Sequence, residues 1–334
     1  MNPAIEVTEL VKVYPSGKRA VDGLSFTVPP GQVFGLLGPN GSGKTTTTRI
    51  LATLLHRTSG TVRIQGIDVE RRPRDVRRVI GYTGQSIGVD DDLTARENLV
   101  LQGRLHGLGG ARAAERAAEL LELMSLTDVA DVRTGRFSGG MRRRVDLVQA
   151  LMHEPPVLFL DEPTTGMDPQ SRAALWTYLD RLRRDGLTAL LTTQYLEEAD
   201  RACDQIAIID EGRLLTGGTP QALKAELGAD RLTVTVPPAC YPDAARIVAE
   251  CPEVTRIEQA EPLVLSLRSG GASVPEVLRR IELGGVRITT VQHSPVTLDD
   301  VFLRYTGHRV RTDIDTRPAM SAAFAAMHGR RPRS

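Results

Sequence analysis

Over residues 1 to about 227, short runs of apolar residues alternate with longer stretches of helical periodicity. Val33–Leu37, Val157–Leu160, Thr188–Thr192 and Gln205–Ile209 are short and apolar, the pattern of strands buried in a parallel sheet. Thr46 to Leu55 follows the first of them with a helical pattern. Between Gln85 and Leu151 the chain reads as almost wholly helical. There, Thr94-Ala95-Arg96-Glu97 is a capping box opening one helix, and Ala111 to Met124 is a second helix rich in Ala, Glu and Leu. This predicts an α/β core over 1–227 with a helical subdomain inserted at about 86–151.

After Gly228 the texture changes. The predicted order is strand Arg231–Val236, helix Tyr241–Glu250, strand Val254–Gln259, strand Leu263–Arg268, helix Val274–Leu283 and strand Val286–Gln292. This βαββαβ order predicts a small α+β module of ferredoxin-like type over 228–308, with a last helix at Leu298 to Tyr305. Residues 309–334 are rich in Arg, Ala and Ser and are expected to form a mobile basic tail. No internal repeat is visible.

Composition narrows the function classes. Among 334 residues, 41% are hydrophobic and 25% charged, enough apolar material for a real core. A formal net charge of +1 argues against bulk nucleic-acid binding, so no nucleic-acid partner is expected. Cys203, Cys240 and Cys251 are scattered without metal-ligand spacing, which predicts reduced thiols. The first residues lack a basic segment followed by an apolar run, and the longest apolar runs are strand-sized. Neither a secretory signal nor a membrane span is expected.

Chemistry enters at Gly38-Pro39-Asn40-Gly41-Ser42-Gly43-Lys44-Thr45, which fits G-x-x-x-x-G-K-[ST]. Its glycines let backbone N–H groups curl around a phosphate, with Lys44 as a point charge and the Thr45 hydroxyl facing Mg²⁺. The following helix, from Thr46, points its N-terminus at the anion. A Gly-rich turn before a helix would explain neither Lys44 nor Thr45. Val157-Leu158-Phe159-Leu160-Asp161-Glu162 brings two carboxylates to the end of an apolar strand. Asp161 suits Mg²⁺, and Glu162 suits a water attacking the γ-phosphate. An acidic cap after a buried strand is the plainer alternative. Ser138-Gly139-Gly140 at a helix start is a second anion site, weak alone and stronger upstream of Asp161.

Taken in this order, these residues resemble the ATP-binding subunit of an ABC transporter. The resemblance puts the phosphate loop on Gly38–Thr45, the signature on Phe137–Met141, the metal Asp on Asp161 and the catalytic Glu on Glu162. It further puts the metal- and partner-sensing glutamine on Gln85, the D-loop on Gly166-Met167-Asp168 and the adenine-stacking aromatic on Tyr14. Leu191-Thr192-Thr193-Gln194-Tyr195-Leu196-Glu197-Glu198-Ala199-Asp200, Ser138 to Arg144 and Leu298 to His308 are similar to the daunorubicin-resistance branch of drug-export ATPases. The fold implied is an α/β P-loop ABC ATPase core with an inserted helical subdomain, plus the ferredoxin-like module.

What the resemblance implies about the site follows residue by residue. Catalysis falls to Glu162, Gln194 and Lys44. Nucleotide contacts come from Tyr14, the loop Gly38–Thr45 with Thr46, and Gln85, Ser138, Gly139, Gly140 and Asp168; Thr45, Gln85 and Asp161 attend Mg²⁺. Two positions depart from the broad family pattern: Met141 where a glutamine is usual and Gln194 where a histidine is usual. An amide still donates a hydrogen bond but carries no charge.

Several residues keep a plainer reading. Tyr14 could be an exposed strand aromatic, Gln85 a polar loop residue, and Asp90-Asp91-Asp92 a negative run before a helix. The arginines from Arg71 to Arg78 could form a solvated face, and Arg142–Arg144 either an exposed helix face or an electrostatic element near nucleotide or permease.

The function implied is ATP hydrolysis, with ATP and Mg²⁺, powering export of a hydrophobic drug, antibiotic or lipid by a separate integral-membrane permease. The subunit would sit peripherally at the cytoplasmic face of the cell membrane, paired with a second ABC subunit as a homodimer. Phosphate loop and signature are expected on opposite faces that complete each other across that dimer. Alternatives are a regulatory nucleotide switch with little hydrolysis and the ATPase of an importer.

Overall fold

The computed structural model describes residues 2–227, 230–268 and 270–307; the tail expected at 309–334 lies outside the described residues. Strands and helices are numbered in chain order. The central sheet has six strands in the order β10-β9-β3-β8-β7-β6. These are Arg213–Gly218, Gln205–Asp210, Val33–Leu37, Thr188–Thr193, Val157–Asp161 and Ile80–Thr83. All neighbours run parallel except the antiparallel edge pair β10-β9. A second, antiparallel sheet has the order β2-β1-β4-β5: Arg19–Val28, Ile5–Val13, Ser59–Ile64 and Ile67–Asp68.

Every residue of β3, β7 and β8 is buried, which is why these strands read as unbroken apolar runs. Alternation still divides them between two cores. Phe34, Leu36, Phe159 and Leu190 pack with β1, β2, β4 and helix α1 (Lys44–Leu51). Leu37, Leu158, Leu160 and Leu191 pack instead into a larger helical layer. After α2 (Pro73–Val79), the helices are α3 (Ala95–Leu105), α4 (Gly110–Leu123), α5 (Gly139–Gln149), α6 (Pro169–Arg184), α7 (Leu196–Ala202) and α8 (Pro220–Leu227). The capping box at α3 forms, with Glu97 N–H on Thr94 Oγ1 at 3.1 Å and Thr94 N–H on Glu97 Oε2 at 2.8 Å.

Two helix boundaries differ from the sequence pattern. Helix α1 stops at Leu51, and Thr53 takes a left-handed φ of 62° that no continuing helix permits. Helix α5 starts at Gly139, ahead of the helical run Arg142 to Met152 that the sequence pattern shows, because Ser138 caps it by accepting the Met141 N–H at 3.2 Å.

The C-terminal module contains β11 (Asp230–Thr235), α9 (Tyr241–Ala249), β12 (Val254–Ala260), β13 (Leu263–Leu267), α10 (Val274–Leu283) and β14 (Thr290–Ser294). Its antiparallel sheet runs β12-β13-β11-β14, the ferredoxin-like order. The last strand lies later than the expected Val286–Gln292. Val286 is buried in the module core, but the ladder with β11 forms only from Thr290↔Thr235 to Ser294↔Arg231. Pairing defines this strand; all five of its residues are exposed, so apolar spacing points to the wrong residues.

Helix α11 (Leu298–Thr306) leaves the module and returns to the larger helical layer against the central sheet. Thr297 and Asp300 form a reciprocal capping box, and Gly307 closes the helix at φ +75°. Leu298, Val301 and Phe302 are buried with Leu196, Ala199 and Leu223, not with the module's own cluster. The Tyr305 hydroxyl donates to Glu226 of α8 at 3.0 Å. Among the described residues no helix is long and apolar enough to cross a membrane.

One stacked histidine pair has a pH consequence. His153 stacks on His106 with ring centroids 3.7 Å apart, and its Nε2 lies 2.9 Å from the Ile80 carbonyl. Burial, then the neighbouring His106, lower the His153 pKa from 6.5 to about 4. Between those values the unfolded chain binds the proton more readily, so this residue costs stability as pH falls from 6.5 towards 4. His153→Phe is expected to flatten that stretch of the Tm-against-pH curve; an unchanged slope would assign the acid sensitivity elsewhere.

Candidate active site

The site gathers at the carboxyl ends of β3, β7 and β8, where parallel sheets bind ligands. The turn after β3 cannot accommodate side chains at two of its glycines. A Cβ on Gly38 would stand 2.3 Å from the Ile209 carbonyl, and Gly43, with φ +106°, would place one 2.4 Å from the Ala20 carbonyl. The chain therefore curls tightly into α1 and leaves its first N–H groups facing outward. Lys44, 5% exposed, donates to the carbonyls of Gly38 at 2.7 Å and Pro39 at 3.0 Å, bracing the loop around its ammonium. Burial lowers its pKa, while Glu162 and Asp161 act in the opposite direction.

Asp161 ends β7 fully buried. Its Oδ1 accepts from the Thr192 hydroxyl at 2.5 Å and the Thr45 hydroxyl at 3.3 Å, and Gln85 Nε2 donates to that same Thr45 oxygen at 3.2 Å. Its Oδ2 is buried without a hydrogen-bond partner. An anionic oxygen left so in the interior is costly. The next residue, Glu162, takes a left-handed φ of 53°, held by its N–H on the Thr192 carbonyl at 3.0 Å. A non-glycine residue in this region costs about 1–3 kcal/mol and persists where neighbours over-determine it.

Glu162 and Gln194, which is 7% exposed just past β8, line an open cleft of about 790 Å³. Tyr14, Asn40, Gly41, Gly43–Thr46 and Gln85 line it too. Tyr14 follows β1 with its hydroxyl 3.2 Å from Thr46 Oγ1 and the Lys12 ammonium 5.3 Å from its ring centre. Gly38, Ser42 and Asp161 are buried beneath the lining. Gly139 and Gly140 border the same cleft, so within one chain phosphate loop and signature do not stand on opposite faces as expected. Ser138 and Asp168 lie outside the lining, each exposed as a helix N-cap; Asp168 accepts from the Ser171 N–H at 2.9 Å.

Thr192, Arg143 and Asp146 also belong to the site, and of these the sequence offered a role only for Arg143, within Arg142–Arg144, as an exposed face or an electrostatic element. Thr192 ties Asp161 to Glu162, and only the register pairing Asp161 with Thr192 brings it there. Arg143 is buried rather than on an exposed face, with the equally buried Asp146 one turn on. Arg142 and Arg144 remain half-exposed on either side.

Chemically, the cleft offers a curled N–H loop with a buried ammonium, a carboxylate and an amide, and beneath its lining a buried carboxylate oxygen without a donor. This combination suits a metal-bound polyphosphate. Residues 21–165 match the family model described as ABC transporter, and residues 218–306 match that of the DrrA1-3-like ATP-binding protein C-terminal domain. The daunorubicin resistance ATP-binding protein DrrA2 of Streptomyces coeruleorubidus is 48% identical over 87% of this chain and 92% of its own. The Nod factor export ATP-binding protein I of Burkholderia lata is 42% identical over 88% of this chain and 94% of its own. Among solved structures, an ATP-binding subunit of an ABC transporter superposes with a TM-score of 0.63 at 30% identity, covering 67% of this chain and 93% of that one. A dimeric cassette in a post-hydrolysis state, bound to ADP and Pi, does so with a TM-score of 0.61 at 26% identity, covering 64% and 98%. Glycine-cradled loop, paired strand-end carboxylates and a C-terminal module shared with these relatives converge: the chain belongs to the ATP-hydrolysing, ATP-binding subunits of ABC exporters, in their daunorubicin-resistance branch.

Proposed function

We propose that this ATPase drives outward transport of a hydrophobic drug, antibiotic or lipid through a separate integral-membrane permease, working as a homodimer held peripherally at the cytoplasmic face of the membrane. The names of the relatives support the cargo class and direction, and the dimeric solved neighbour supports the pairing. The proposed division of labour gives residues 1–227 the hydrolytic work and 228–308 an accessory role.

The observation that carries the reading is the cluster that runs from buried Asp161 and Thr192 through half-buried Thr45 to exposed Gln85, with Asp161 Oδ2 lacking a donor. It fits Mg²⁺, which takes one or two carboxylates and otherwise phosphate and water oxygens. Asp161, Thr45 and Gln85 would hold the ion, which neutralises phosphate charge when bound. Lys44 and the loop N–H groups bind the β- and γ-phosphates, and Tyr14 stacks on the base. Glu162 accepts a hydrogen bond from the attacking water and takes its proton; Gln194 donates to the γ-phosphate as charge shifts onto it. In the dimer, Ser138, Gly139, Gly140 and Asp168 complete the site of the other copy.

The test pairs ATP turnover of the purified protein with drug accumulation in cells expressing it with its permease. Turnover with lowered accumulation is expected; no turnover would favour the regulatory switch, and raised accumulation an importer. In the same assay Gln194→Ala is expected to lower kcat by about 10²–10³-fold, the usual cost of losing one transition-state donor. Gln194→His should retain turnover and add a pH dependence between about 6 and 8. Unchanged kcat in Gln194→Ala would make that side chain a bystander.

A further inference from the structure

We infer that Arg143 and Asp146, one turn apart on the signature helix α5, clamp the Gln85 segment and the Glu162 turn to each other, with Arg143 as a positioning residue for Glu162. This rests on the reading of Glu162 as the group that orients water.

Arg143 is 4% exposed, and every N–H of its guanidinium is engaged within the protein. Nε donates to the Pro163 carbonyl at 3.2 Å; Nη1 donates to the Gly84 carbonyl at 2.5 Å and Asp146 Oδ2 at 3.3 Å; Nη2 donates to the carbonyls of Asp161 at 3.1 Å and Glu162 at 2.8 Å. The five donors of an arginine thus meet five acceptors, an arrangement a lysine ammonium with three donors does not reproduce. Asp146 Oδ1 accepts the Gly88 N–H at 2.7 Å. Helix α5 therefore holds both ends of the Gly84–Gly88 segment, with Gln85 between them.

The same guanidinium fixes the backbone of Glu162. Its peptide groups are gripped on both sides, the Asp161 and Glu162 carbonyls by Arg143 and the Glu162 N–H by Thr192. These bonds over-determine the left-handed φ of 53° that aims the residue. Any displacement of α5 would carry the Gln85 segment and the Glu162 turn with it, so the signature, the phosphate-loop threonine and the carboxylate respond as one unit. No donor of Arg143 is left over for nucleotide, so its loss should act on kcat rather than on ATP affinity.

The experiment uses the full chain and compares ATP affinity, from a fluorescent nucleotide analogue, with kcat. Arg143→Lys is expected to lower kcat by about 10–100-fold, as misplacing a catalytic group by an ångström does. Its ATP affinity should stay within about threefold of wild type, the split that marks a transition-state effect. Asp146→Asn, which keeps an acceptor for Gly88, should fall between Arg143→Lys and wild type. If Arg143→Ala folds, millimolar methylguanidinium should restore part of its kcat. Wild-type kcat in Arg143→Lys, or equal losses of affinity and kcat in both Arg143→Lys and Asp146→Asn, would overturn the clamp. Glu162→Gln in parallel separates the two readings: wild-type turnover there removes the Glu162 assignment whatever Arg143 does.

Discussion

Glu162→Gln is expected to bind ATP as wild type does while kcat falls by about 10²–10⁴-fold, the range for removing a general base. The substitution keeps shape and a hydrogen-bonding oxygen but removes the proton acceptor. The turn itself should not move, because it is held by backbone bonds from Thr192 and Arg143 that the side chain does not make. On the proposed reading, ATP affinity comes from the loop and from Lys44, which is braced by the carbonyls of Gly38 and Pro39. Binding without turnover should trap an ATP-bound dimer, visible as a mass shift on size-exclusion chromatography with ATP. Phosphate release at the wild-type rate would transfer the role to another group.

The second large effect is on stability. Phe302→Ala is expected to cost about 3–5 kcal/mol, the usual range for a fully buried phenylalanine. The loss should appear in the unfolding transition of the ATP-binding core. Phe302 is fully buried beside Leu196 and Ala199 of α7 and Leu223 of α8, although it lies beyond the ferredoxin-like module in sequence. Thermal melts with and without ATP distinguish the assignments: the nucleotide-protected transition should drop. A drop confined to a transition that ATP does not shift would put α11 with the module instead. The same packing bears on the proposed boundary at 228. Truncation after Leu227 removes Leu298, Val301 and Phe302 as well, so it strips a face of the core and does more than delete an accessory domain.

The chemistry of the site was legible because it is local. A phosphate loop is eight consecutive residues whose backbone makes the contacts, and Asp161-Glu162 ends a strand that spells out its own burial. The ferredoxin-like order followed from apolar spacing, except at β14, where edge pairing and exposure leave no apolar signature. The placement of α11 was not legible. Its capping box and apolar stripe announce a helix, but a stripe does not name the surface that covers it.

By itself, then, the sequence determined the glycine-rich loop between strand and helix, the paired carboxylates at a strand end, the family and the order of elements in the C-terminal module, because each depends on residues adjacent in the chain or on their periodicity. Only the tertiary structure decided that Thr192 lies beside Asp161, that Arg143 alone of three arginines turns inward, and that α11 packs on the ATP-binding core. Strand register and side-chain direction join residues tens of positions apart. An arginine pattern is the same whether it meets water or five buried acceptors, and the cost of burying an unpaired polar group acts only once the fold brings those acceptors together.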